Sequence, residues 1–146
     1  MKFKTQFKKR IIKIGSTILL IIAIGTSIIT YKINQENKEL ISVVQCGVSK
    51  INEQATYKTA FEKYFQNTSW STYKTSEDIK VVGFIGYKHD KERDVMIKYD
   101  LQYTVDQEQN TFKLYKAYAN DMPLNQIEVL AITIQAMSSF DSVDNF

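Results

Sequence analysis

Residues 94–106 read DVMIKYDLQYTVD, and the order of these side chains decides the fold class. Val95, Ile97, Tyr99, Leu101, Tyr103 and Val105 take every odd position, while Lys98, Asp100, Gln102, Thr104 and Asp106 take even ones. Successive side chains of a strand point to opposite faces. A strict period of two therefore marks a strand with one buried and one solvated face, as in an antiparallel sheet. The polar stretch Gln107 to Asn110 reads as a turn, and TFKLYKAYA (111–119) returns as the partner strand. Upstream, KVVGFIGYK (80–88) is rich in β-branched and aromatic residues, and its glycines mark a bulge or a close approach.

Helices flank these strands. TYKTAFEKYFQN (56–67) starts with Thr56, whose hydroxyl can accept from an unpaired N–H of the first turn. Tyr57, Phe61, Tyr64 and Phe65 follow on one stripe, and Asn67 reads as the stop. At the other end, Asn125 and Glu128 have capping-box spacing, with Leu124 and Val129 placed as a hydrophobic staple. Ile127, Leu130, Ile134 and Met137 fall on one face, which predicts that this helix covers the sheet. The expectation is an α+β fold, a small two-layer domain over 43–140 with a short tail, 141–146. The apolar run LISVVQCGV (40–48) fits a strand or a helix end equally well.

A different pattern precedes this domain. Residues 14–31 hold no charge, and nine of the eighteen are Ile or Leu. As a helix they would cover about 27 Å, close to the ~30 Å hydrocarbon core of a bilayer. A cleaved secretion signal is the rival reading, with Ala23-Ile24-Gly25 as its cleavage site. The run continues through Ile28 and Ile29, which favours an uncleaved transmembrane helix. No Cys follows it closely, so a lipoprotein anchor is not expected. Lys2, Lys4, Lys8, Lys9, Arg10 and Lys13 precede it, and only Lys32 and Lys38 follow nearby. That asymmetry predicts a cytoplasmic basic arm (1–13), a single-pass span (14–31), a polar stalk (32–42) and a domain outside the cell membrane.

The formal charge of +3 comes from that arm. Beyond Tyr31, thirteen basic and sixteen acidic side chains remain, a balance that argues against a nucleic-acid partner. Six Phe, one Trp and eight Tyr in the same region argue against disorder. A single Cys, Cys46, excludes an internal disulfide and is expected to be buried as a small hydrophobe.

Little chemistry is visible. One His and one Cys do not make a Cys/His metal cluster, so neither metal nor cofactor is expected. His89 lies in YKHDKERD (87–94), which reads as a charged hairpin turn. Asp90, Glu92 and Asp94 lack the glycine and terminal glutamate of a calcium loop. No phosphate-binding glycine loop is present; Gly83 and Gly86 sit inside a strand. The sequence thus nominates no catalytic residue. Trp70, Tyr115 and Tyr118 are the candidate partner contacts, because aromatic side chains concentrate at binding hot spots. Core packing is the competing role, foremost for Trp70.

VVQCG, TYKTAFEKYF, Trp70, VVGFIG and DMPLN before a final helix resemble a bacterial membrane-anchored extracytoplasmic domain family without an assigned reaction. Its members show V-K-N-G, T-I-G-x-A-F-x-x-F-F, Trp and V-x-F-x-G patterns, often behind a zinc ribbon plus membrane helix or a lipoprotein signal. The likeness covers roughly residues 43–139. The chain departs from the pattern in three ways: it has no zinc ribbon, no lipobox Cys, and Lys58-Thr59 in place of Ile-Gly. The resemblance implies an α+β domain displayed outside a membrane, with Thr56, Phe61, Phe65, Trp70, Phe84 and Gly86 as fold determinants. It supplies no catalytic residues. The resulting expectation is a non-catalytic, membrane-tethered binding or assembly module for an envelope or protein partner. Small-ligand sensing through an apolar pocket is the second possibility, and a secreted protein released by cleavage the third.

Overall fold

The structure, a computed structural model, describes residues 26, 27 and 29–140. The chain divides into two compact units, Met1–Glu36 and Asn37–Phe146. In the first, the described residues are helical and exposed. No helix among the described residues is long and apolar enough to cross a membrane. The expected span lies outside them, apart from residues 26, 27 and 29–31.

The second unit is an α+β domain. Residues 37–45 are helical (α1), followed by β1 (Val48–Ser49), β2 (Asn52–Thr56), α2 (Tyr57–Tyr64) and β3 (Gln66–Lys74). Then come β4 (Lys80–Asp90), β5 (Val95–Asp106), β6 (Thr111–Ala119), β7 (Met122–Pro123) and α3 (Gln126–Ser138). β3 to β7 form one antiparallel sheet in chain order, and β1 pairs with β2 separately. Chain order is what short hairpins produce. Within the five-stranded sheet the β6–β7 turn is the tightest: Asn120 and Asp121 both have positive φ, a two-residue geometry that matches strand twist.

Alternation of burial in β5 fails at its centre, where Gln102 is buried between two odd positions. Leu101 and Tyr103 are buried, and they stand beside Phe84 and Val82 of β4. These side chains form the inner face, which α2 covers with Phe61, whose ring centroid is 4.9 Å from that of Phe84. Gly86 is required here: a Cβ would stand 2.7 Å from Phe84 Cζ and 2.8 Å from Phe65 Cβ. Thr56 caps α2 as read from the sequence, in a reciprocal box with Thr59. The helix ends at Tyr64, before the expected stop, and Asn67 instead adopts a positive φ within β3.

Three points differ from the sequence reading or add to it. First, Leu40 and Val44, one turn apart on α1, face the core. Second, α3 keeps its predicted capping box, with Asn125 Oδ1 accepting from Ile127 N and Glu128 N, but not its predicted orientation. It buries Val129, Thr133, Ala136 and Met137 and packs mainly on α2 and β2 rather than on the sheet. Ile127, Leu130 and Ile134 face outward, at 79%, 54% and 41% exposure. A helix apolar on both sides does not announce which side is inside, and the small side chains Thr133 and Ala136 allow closer approach. Third, Cys46 is exposed, its Sγ 3.6 Å from Ser42 Oγ, on a side of α1 turned away from Val44.

Candidate functional site

The face of the sheet turned away from α2 carries the even positions of β5. Across it run Gly83, Gln102 and Lys116, with Ile85, Asp100 and Tyr118 one step along. Gly83 leaves room for a ring: a Cβ there would lie 2.5 Å from Tyr73 Cε1, so the tyrosine rests directly on the β4 backbone. Opposite, a bulge in β6 leaves Tyr115 without a partner on β5, since Gln102 pairs with Lys116 and Tyr103 with Leu114. The broken alternation around Lys116 in the sequence is that bulge.

The β3–β4 turn ties the two sides together. Thr75 Oγ1 accepts from Glu77 N and Ile79 N, Asp78 takes a positive φ, and Lys74 pairs with Asp78 at 2.7 Å. The turn thereby presents Glu77 to β6. Lys116 Nζ donates to Glu77 Oε1 at 2.7 Å, and Tyr115 OH donates to Glu77 Oε2. The Lys116 hydrogen bond, then that of Tyr115, holds the Glu77 carboxyl below its ordinary range, and Glu77 in turn raises Lys116. Asp100 organises the floor, accepting from Gln102 Nε2 at 3.3 Å, with Tyr73 OH 3.5 Å away. Burial first, then the neighbouring Asp100 charge, pushes Tyr73 up to about 12.

Between turn and strands lies a cavity of about 270 Å³ lined by Tyr73, Lys74, Thr75, Ser76, Gln102, Lys116 and Tyr118. Gln102 is only 8% exposed, against the sequence expectation of a solvated position. The two candidate tyrosines of β6 thus share one surface. Trp70 does not join them: it stacks on Phe61 at 6.2 Å and 15°, and its ring centroid is 4.7 Å from that of Phe84. Its Nε1 is buried without a hydrogen-bond partner among the described residues. Trp70 is half-buried and packs against the core.

Other candidates are less developed. His89 lies on β4, paired with Met96, and not in the expected turn, which is confined to residues 91–94; its exposed Nε2 is 3.0 Å from Asp94 Oδ1, with no hydroxyl or thiol bonded to either among the described residues. Among the described residues no His, Cys, Asp and Glu side chains converge as a metal site. The space between α2 and the sheet is filled by core side chains, among them the rings of Phe61, Phe65 and Phe84. A larger open groove of about 930 Å³ lies between the end of α1, the β1–β2 hairpin and Phe112, and includes Cys46 and Tyr57. Two of its hydroxyls are bonded locally, Ser42 to Cys46 and Ser49 to Ile51 N.

In comparison with known proteins, no protein-family model, curated protein or solved structure matches the chain. The family resemblance rests on the quoted motifs alone.

Glu77, Gln102 and Tyr73 were not legible as site residues. Glu77 and Lys116 are 39 residues apart with no spacing rule to join them. Gln102 looks solvated in any alternating strand until the turn that folds over it is known.

Proposed function

We propose that the chain is a non-catalytic binding module, tethered to the cell membrane by a single transmembrane helix within residues 14–31, with its domain outside. The basic asymmetry around the apolar run supports this topology. One structural observation carries the binding role: the outer sheet face places Tyr73 and Tyr118 in the lining of a cavity, with Tyr115 tied to the adjoining turn through Glu77. Aromatic side chains with a polar tip suit a contact surface, since they supply area at low entropic cost. The partner is an envelope component or another protein.

Mass spectrometry of the mature chain and protease shaving of intact cells test the topology. The expected result is an intact N-terminus and a cleavable outer domain; a product starting near Thr26 would indicate a secreted form. For the binding role, Tyr115→Ser with Tyr118→Ser should abolish the cellular function while leaving the folded fraction intact. His89→Ala should leave that function unchanged. Loss of function in a folded His89→Ala chain would overturn the reading. The cavity also supports small-ligand sensing through this same face.

A further inference from the structure

The cavity beneath the β3–β4 turn has a chemical preference. Its two cations are already neutralised, Lys74 by Asp78 and Lys116 by Glu77, so it offers no free cation to an anionic ligand. Three polar groups in its lining have no hydrogen-bond partner among the described residues: Ser76 Oγ, Tyr118 OH and the second end of the Gln102 amide. Gln102 is more than nine-tenths buried, and Asp100 fixes the first end of that amide, so the second end is preset toward the cavity it lines. A primary amide offers both a donor and an acceptor, and each hydroxyl offers both. Tyr73 and Tyr118 supply aromatic walls. The volume of about 270 Å³ falls below the roughly 300–1,000 Å³ of sites for drug-sized ligands, which limits the occupant to about one ring.

We infer that this cavity binds a neutral, hydroxyl-rich six-membered ring: a pyranose, free in solution or at the end of an envelope glycan. A pyranose has an apolar C–H face for an aromatic wall and a rim of hydroxyls for the amide, Ser76 and Tyr118. A site whose polar groups are matched by hydroxyls discriminates against a ring that lacks them. The Glu77 latch holds the turn over the ring, so the two β6 tyrosines divide their work: Tyr115 fastens the turn and Tyr118 meets the ligand. This assignment rests on reading the outer face as the binding surface.

The test is chemical-shift mapping of the full chain in a sugar-free zwitterionic detergent. The probes are methyl β-D-glucopyranoside, N-acetylglucosamine, a soluble cell-wall disaccharide, cyclohexanol and inorganic phosphate. The sugars should give saturable shifts at Tyr73 to Ser76, Gln102, Lys116 and Tyr118; cyclohexanol and phosphate should not. Tighter binding of the disaccharide than of either monosaccharide assigns a wall glycan, and the reverse assigns a free sugar. Gln102→Leu should weaken binding at least about tenfold, as loss of a buried polar partner does. Tyr118→Ala, at a half-exposed position, tests the same point should the buried change disturb folding. No saturable response to any sugar overturns the inference, as do sugar shifts mapping elsewhere or equal responses to cyclohexanol. If sugars fail while the Tyr115/Tyr118 change still abolishes cellular function, the binding module stands and the pyranose does not.

Discussion

On the inner face of the sheet Phe84, Leu101 and Ala117 stand side by side under α2; one residue along, on the outer face, Gly83, Gln102 and Lys116 stand side by side near the β3–β4 turn. The backbone is shared, so the difference between the faces comes from side chains alone. Inner side chains gain stability from apolar area removed from water and from close packing, which are spread over many contacts. Outer side chains are held by a few directional bonds, Glu77 to Lys116 and Tyr115, and Asp100 to Gln102. Exposed ion pairs of that kind contribute little to stability, so the outer face can rearrange around a ligand while the core stays folded.

Leu101→Asp should break the comparison at its strongest point. A carboxylate at a position with no exposed surface would lie among apolar side chains, costing several kcal/mol, and denaturant unfolding should find no native state. Gln102→Asp is the adjacent position on the other face. The alternation alone predicts tolerance; with Gln102 buried beside Asp100, the change should cost about 1–3 kcal/mol by the same measurement. Gly83→Ala should cost about 1 kcal/mol, because Tyr73 must swing off the β4 backbone. Its sharper readout is a changed Tyr73 ring environment by NMR.

The smallest expected effect is Glu77→Gln, read through pH rather than through melting. In the folded chain Glu77 titrates below its ordinary value of 4.5. Its latch therefore contributes fully above that value and is lost as pH falls through the lowered folded value. Lys116 titrates above its ordinary value of 10.5, so the latch also persists until pH rises past that raised value. Tyr115 ring signals should stay constant across the neutral range and change in acid. In Glu77→Gln that acid transition should vanish.

The same contrast explains what the sequence disclosed. Inner-face positions in β5 and the caps at Thr56 and Asn125 follow local rules of period and spacing, so they were readable. Strand β3 was not, because QNTSWSTYK has few apolar positions to show a period. The orientation of α3 was misread because Ile127, Leu130 and Ile134 make as good a stripe as the residues that pack. The candidate site was half legible: Tyr115 and Tyr118 stood out as aromatics where alternation fails. Glu77 and Gln102 depend on a turn folding over β5, which is a tertiary event without a local signal.

Two exposed surfaces compete for the role of contact face, the outer sheet and the α3 stripe of Ile127, Leu130 and Ile134. Site-specific photo-crosslinking in intact cells separates them most directly, with a benzophenone side chain placed in turn at Tyr118 and at Ile127. The account predicts a light-dependent adduct from position 118, lost on addition of Glu77→Gln with Tyr115→Ser, and a weaker or absent one from position 127. An adduct from position 127 with none from position 118 would contradict it.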